Sequence, residues 1–266
     1  MDYCITTFCY GEKYTPICQK WFERITNKCK NMNCSIFNCS IFNNLNIKLN
    51  HGFKYAWWDV IRLSNNLSII RKTNKPVVHI DIDLIIEKDI KPLVDLQYDL
   101  IISKEIGEAE AYPKECSKIL GFGVCSGFYI IKPSAHNFMT KLYDIMRNNS
   151  VNYSDQVNLM NYIVNSNYNI KDEEIILDNV KYTNKIIEID DIKICVLDFN
   201  IIIWDPVFNI GQFGNHINID NIGGTANFLK YFDNNLENLP LTCRCGKKHL
   251  GDNSTFCKHI ELRKIK

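Results

Sequence analysis

The sequence has no excess of charge of either sign: 31 Lys and Arg stand against 30 Asp and Glu, for a formal net charge of +1. A broad electrostatic surface for nucleic acid is therefore not expected. No uninterrupted apolar run reaches membrane-spanning length, so no membrane span is expected. Met1-Asp2-Tyr3-Cys4 offers no basic leader followed by an apolar stretch, and the expectation is a soluble, cytoplasmic protein. Proline is scarce, at seven residues, and no Pro/Gly/Ser-rich linker divides the chain except a break near Asn238-Leu239-Pro240. The 266 residues are enough to bury a large core. The expected organisation is a single domain over residues 1–239 with a small tail over 240–266.

Cysteine, by contrast, is abundant at twelve residues. The spacing is not that of a secreted disulfide scaffold, and a chain of this length needs none. Cys4, Cys9, Cys125 and Cys195 lie in apolar, strand-like runs and read as buried thiols. Asn-x-Ser/Thr triplets such as Asn38-Cys39-Ser40 occur at the level chance gives in an Asn-rich chain. The wealth of Asn, Ile and Lys matches the coding bias of an AT-rich genome, which bears on origin and not on chemistry.

The most informative stretch is Val77-Val78-His79-Ile80-Asp81-Ile82-Asp83-Leu84-Ile85. Val77 to Ile80 reads as a short buried strand, preceded by Pro76. If the extended geometry continues, Asp81 and Asp83 point to the same side. Two carboxylates at the C-terminal end of a strand suit a hard divalent cation, and that edge is where open α/β sheets bind ligands. The competing reading is a strand end with two solvated aspartates.

Around this stretch the chain alternates strands and helices. A strand is expected over residues 3–9. A helix follows to about Cys29, with Thr15 as N-cap and Pro16 at N1. The tandem Cys-Ser-Ile-Phe-Asn copies at 34–38 and 39–43 read as one strand and its loop. A helix over 53–67 places Tyr55, Trp58, Ile61 and Leu63 broadly on one side. Residues 98–103 read as a strand, 104–124 as a long irregular stretch, and 125–132 as a strand. Pro133-Ser134 opens a helix through Met146, and Ser154 caps another to about Val164. Short strands at 175–177, 186–189 and 194–197 precede a Gly- and Asn-rich loop at 208–224. The order implies an α/β fold with a mixed, mainly parallel sheet flanked by helices.

Four segments, read together, resemble the GT-A-fold glycosyltransferases, which use nucleotide-diphosphate sugars. Thr6-Thr7-Phe8 with Gly11-Glu12-Lys13-Tyr14 resembles their opening strand at the nucleotide base. Lys54-Tyr55-Ala56-Trp57-Trp58-Asp59-Val60-Ile61-Arg62-Leu63, leading into His79-Ile80-Asp81-Ile82-Asp83, is similar to their basic helix start and DxD strand. Cys125-Ser126-Gly127-Phe128-Tyr129-Ile130-Ile131-Lys132-Pro133 is similar to their NSG-strand-P segment, with Cys125 in place of Asn. Ser154-Asp155-Gln156 is similar to their DQ motif. The resemblance covers residues 3–165.

The resemblance implies a Rossmann-like GT-A fold, a Mn²⁺ or Mg²⁺ ion and a nucleotide-diphosphate sugar donor. The acceptor is left open between glycan, protein and small molecule. Thr6, Thr7, Tyr14, Lys54, Asp81, Ser126 and Gly127 would then contact nucleotide or donor. Asp81 and Asp83 would hold the metal, with His216 as a third ligand from a late loop whose glycines let it close. Asp155 and Gln156 would be catalytic. Retention of the anomeric configuration is favoured; Glu105, Glu108, Glu110 and Asp155 stand open as a general base for inversion.

Two other readings compete. One is a haloacid-dehalogenase-like phosphohydrolase with Asp81 as nucleophile and Asp83 as acid, although Ile85 sits where that family carries a small hydroxylic residue. The other is a non-catalytic binding module on the same fold. In the tail, Cys243, Cys245, Cys257 and His259 could hold a structural Zn²⁺; unrelated thiols on a basic tail are the alternative.

Overall fold

The computed structural model describes residues 2–9, 14–29, 32–38, 56–105, 114–149, 151–204, 212–216 and 228–229. The elements run in the order β1 (Tyr3–Cys9), α1 (Thr15–Lys28), β2 (Met32–Asn38), α2 (Trp57–Thr73), β3 (Val77–Ile80), β4 (Leu84–Ile86) and α3 (Lys91–Val94). Then come β5 (Leu100–Glu105), α4 (Lys114–Leu120), β6 (Gly123–Ile131), α5 (His136–Asn148) and α6 (Asp155–Val164). The last are β7 (Asn169–Leu177), β8 (Val180–Ile189), β9 (Ile192–Val196), β10 (Ile202–Trp204) and β11 (Gly214–His216).

Among the described residues, eight strands form one sheet in the order β2-β1-β3-β6-β5-β9-β8-β7. Among these strands β6 and β8 run against the other six, so the sheet is mixed, as expected: three of its seven pairings are parallel and four antiparallel. Its strands alternate between two cores. Cys4, Val77, Ile102, Tyr129 and Ile131 pack with α2, α4, α5 and α6 on one face. Ile5, Val78, Ile101, Phe128 and Ile130 pack with α1, α3 and the small sheet on the other. Each fully buried aliphatic side chain stabilises by about 1.5–3 kcal/mol, and a strand buried on both faces contributes to both layers. A second sheet joins the short strands β10, β11 and β4, three among the described residues.

Several boundaries differ from the sequence reading. Thr15 is the first helical residue of α1; Tyr14 occupies the N-cap without a side-chain cap. Helix α2 runs six residues past Leu67 and ends where Asn74 takes a left-handed conformation (φ 51°) that Asn tolerates. Its buried side carries Val60, Leu63, Leu67 and Ile70, while Trp58 is 37% exposed. The stretch expected to be irregular contains α4, because Cys116, Ser117 and Leu120 bury one face of a short helix. The late strands are longer than expected and are joined by two-residue turns at Asp178-Asn179 and Asp190-Asp191. All four of those residues have positive φ, as tight hairpins require. The second Cys-Ser-Ile-Phe-Asn copy lies outside the described residues.

The largest difference concerns the aspartates. The extended geometry of β3 stops at Ile80, and Asp81 to Asp83 form a tight turn in which the Leu84 N–H donates to the Asp81 carbonyl at 3.0 Å. The chain leaves the large sheet here and enters the small one.

Candidate active site

That turn sits where three elements meet. In the large sheet, β3 and β6 pair so that the Asp81 N–H donates to the Gly127 carbonyl at 2.8 Å. In the small sheet, His216 lies opposite Leu84, the first residue after the turn. The residue expected on a glycine-rich loop is therefore on a strand, buried at 8% exposure. Three residues of strand are too few to show a period in sequence; pairing with β10 and β4 makes this segment a strand. Gly214 permits the insertion, since a Cβ there would sit 3.0 Å from a Leu84 methyl and 3.2 Å from the Ile85 carbonyl.

Asp81, Asp83 and His216 form a cluster whose ligand atoms lie within 4.8 Å of one another. His216 Nε2 is 3.0 Å from Asp83 Oδ1 and 3.9 Å from Asp81 Oδ2. The ring rests against Gly127: a Cβ at that position would fall 2.4 Å from His216 Cε1, 2.6 Å from Nδ1 and 3.1 Å from Asp81 Oδ2. Two carboxylates and one imidazole are a ligand set suited in charge to a divalent cation. Burial alone would push the His216 pKa down, but the Asp83 carboxylate and the Cys125 thiol hold it well above the usual histidine range. Without a cation, the site thus carries its positive charge on the imidazole.

Asp81 is shared between this cluster and a second one. Its Oδ1 accepts from Arg62 Nη1 at 3.1 Å and from His79 Nε2 at 2.8 Å. Burial and the Arg62 charge hold the His79 pKa down. A neutral His79 with its proton on Nε2 leaves Nδ1 bare, and Nδ1 has no hydrogen-bond partner among the described residues. Burial works to raise the Asp81 pKa, but the His79 hydrogen bond and the charges of Arg62 and His216 outweigh it and lower it. Asp81 therefore stays ionised, with Oδ1 saturated by protein donors and Oδ2 on the His216 side.

Arg62, on α2, is the hub behind the cluster. Its Nη2 lies 2.6 Å from Asp155 Oδ2, 3.0 Å from Asp59 Oδ1 and 3.3 Å from Ser126 Oγ. Three carboxylates, from Asp59, Asp81 and Asp155, converge on this one guanidinium. The excess of negative charge is eased at Asp59, whose pKa is raised well above the carboxylate range by burial and by Asp155 and Asp81, against the pull of Arg62.

The other expected site residues are distributed unevenly. Asp155 is buried, with one oxygen on Arg62 and the other accepting the Gln156 N–H at 2.7 Å. Ser154 caps α6 as expected. Gln156 donates from Nε2 to Glu105 Oε2 at 2.6 Å, which joins the end of β5 to the start of α6. Thr6 is committed inside the protein: it donates to Asn66 Oδ1 at 2.9 Å, and Asn66 donates on to the Tyr129 hydroxyl at 3.0 Å. Thr7 is buried, and its hydroxyl has no hydrogen-bond partner among the described residues. Tyr14 sits half-buried at the start of α1, away from the Asp81–Asp83 turn in sequence. Lys54, Glu108, Glu110, Cys243, Cys245, Cys257 and His259 lie outside the described residues.

The sequence reading assigned no role to Asp59, Arg62, His79 or Asn66. One signal was available: Asp59, Arg62 and Asn66 follow one another at three- and four-residue steps on the buried side of α2. Charged residues on the buried stripe of a helix need partners, and the partners here come from three other elements.

No protein-family profile matches the chain, and no curated protein matches it in sequence. Its structural neighbours are glycosyltransferases. Mouse xyloside xylosyltransferase 1 is similar over 77% of this chain and 88% of its own, at 10% identity and a TM-score of 0.43. The apo glycosyltransferase GlyE of Streptococcus pneumoniae TIGR4 is similar over 61% of this chain, at 14% identity and a TM-score of 0.39; the match spans 43% of the GlyE chain. The galactosyltransferase LgtC, solved with donor and acceptor sugar analogues, is similar over 60% of this chain and 69% of its own, at 14% identity and a TM-score of 0.36. Among the described residues, no helix is long and apolar enough to cross a membrane.

Proposed function

We propose that this chain is a divalent-metal-dependent glycosyltransferase that moves a sugar from a nucleoside-diphosphate donor to an acceptor. The observation that carries the reading is the cluster of Asp81, Asp83 and His216 at the end of β3, with an arginine–carboxylate network directly behind it. Asp81 through Oδ2, Asp83, and His216 through Nε2 would hold Mn²⁺ or Mg²⁺. When bound, that ion supplies a Lewis acid that neutralises the charge developing on the departing diphosphate.

The chain's own groups do the rest. Arg62 and His79 hold Asp81 Oδ1, which turns Oδ2 outward as a ligand. Ser126 and Gly127 would face the donor from β6, and the missing Cβ of Gly127 leaves room for the His216 ring. Asp155, bonded to Arg62 through Oδ2, orients the start of α6, where Gln156 is fixed on Glu105. In this reading Gln156 lies on the sugar side and favours retention, and Thr7, Tyr14 and Lys54 lie on the nucleotide side. Residues 240–266 are a separate tail outside the chemistry, with Cys243, Cys245, Cys257 and His259 as a candidate structural Zn²⁺ set. The dehalogenase-like reading gains nothing, because Ile85 is buried in β4 and brings no hydroxyl to the turn.

The test is a panel of nucleotide sugars, assayed for donor hydrolysis and transfer with Mn²⁺ and with excess chelator. Metal-dependent release of a nucleoside diphosphate from at least one donor supports the reading. A complete absence of turnover on every donor, or turnover that survives chelation, counts against it.

A further inference from the structure

We propose that Cys125 is a positioning residue for the metal site: its thiol, seated on His216 Nδ1, fixes the imidazole with Nε2 turned to the carboxylate pair. The inference rests on the metal site proposed above and adds the group that orients its nitrogen ligand.

Cys125 lies on β6 and His216 on β11, 91 residues apart, and Cys125 Sγ is 3.5 Å from His216 Nδ1, within reach for a hydrogen bond to sulfur. Both side chains are buried, at 6% and 8% exposure. A neutral imidazole carries one N–H. If Nε2 offers its lone pair to a cation, the proton sits on Nδ1 and needs an acceptor there. A buried N–H without an acceptor costs about 1–3 kcal/mol. The Cys125 sulfur is the acceptor on that side.

The ring is thereby held at three points. Nε2 faces Asp83 Oδ1 at 3.0 Å, Nδ1 faces Cys125, and the Cε1–Nδ1 edge lies in the space where a residue other than glycine at 127 would carry its Cβ. A ring flip would put carbon in place of nitrogen at both ends and lose both contacts. Metal-ligating histidines usually donate their second N–H to a carboxylate or a carbonyl. Here the Cys125 sulfur takes the acceptor's place, in a region where three carboxylates already share one guanidinium.

Cys125→Ala and Cys125→Ser separate orientation from packing, because the two replacements have nearly the same volume and differ by a hydroxyl that can accept from Nδ1. The assay is a titration of the full chain with Mn²⁺ alone, read by electron paramagnetic resonance, with a thermal melt of each variant. Loss of an outer partner of this kind lowers metal affinity by on the order of 10–100-fold, so Cys125→Ala should bind Mn²⁺ at least about tenfold more weakly than wild type, and Cys125→Ser should recover most of the difference. Two results overturn the inference: Mn²⁺ affinity of Cys125→Ala within about twofold of wild type, or equal weakening in both variants, which is the mark of packing. Wild type that takes up no Mn²⁺ removes the metal site itself, and this inference with it. Wild type that binds, beside variants that bind equally well, removes the role of Cys125 alone.

Discussion

Gly127→Ala puts the close approach at the centre of the site under test. The added Cβ would lie 2.4 Å from His216 Cε1 and 2.6 Å from Nδ1, against roughly 3.5–4.0 Å for an ordinary contact between carbons. The ring must retreat by about 1 Å or more. It cannot do so freely, because Asp83 holds one end and Cys125 the other. Overpacking of this kind costs about 1–3 kcal/mol. A chain of this size loses about 2–4 °C of melting temperature per kcal/mol, so the metal-free variant should melt roughly 2–12 °C below wild type. Retreat of the ring also moves Nε2 off the carboxylate pair. Mn²⁺ affinity should fall by at least about tenfold, or about 1.4 kcal/mol, and the melting-temperature rise that Mn²⁺ gives to wild type should shrink accordingly. Differential scanning fluorimetry with and without Mn²⁺ measures both effects. A Gly127→Ala protein that melts with wild type and gains the same stabilisation from Mn²⁺ would refute the reasoning.

Arg62→Met leaves Asp59, Asp81 and Asp155 without their shared cation, and breaking a buried ion pair in this way costs about 3–5 kcal/mol; chemical denaturation at neutral pH should register that loss, and a variant as stable as wild type would contradict it. Metal binding should strengthen as pH rises. The His216 pKa is raised, so in the metal-free protein the imidazolium persists above the ordinary histidine range; a cation needs the neutral ring, so each ion bound displaces a proton and affinity falls as pH drops below that raised value. Calorimetry in two buffers of different ionisation enthalpy counts the proton, and binding without proton release contradicts the expectation. Truncation after Leu239 should leave metal-dependent turnover intact, and a folded but inactive truncated protein would place the tail in the active site.

Much of the fold was legible because it is written in local pattern. Tyr3–Cys9 and Val77–Ile80 are apolar runs, Ser154 caps its helix, and Pro133 opens the turn into α5. The pair Asp81 and Asp83 was legible as a candidate, although the turn that brings the two carboxylates to His216 was not. An extended continuation and a turn have the same sequence signature there, and the turn exists because Leu84 joins a different sheet. His216 was found as a residue but not as part of a strand, since β11 is three residues long and owes its existence to its neighbours. The contacts of Arg62 were beyond the sequence, because they join α2, β3, β6 and α6 across up to 93 positions. The commitment of Thr6 to Asn66 was hidden for the same reason.

The most direct measurement is a crystal structure of the full chain with Mn²⁺ and a nucleoside diphosphate, with anomalous diffraction to locate the metal. The account predicts one manganese peak at bonding distance, roughly 2.0–2.3 Å, from Asp81 Oδ2, an Asp83 oxygen and His216 Nε2, with diphosphate oxygens on the same ion and Asp81 Oδ1 still held by Arg62 and His79. A manganese ion bound elsewhere, or one bound at the two aspartates with His216 turned away, would contradict it.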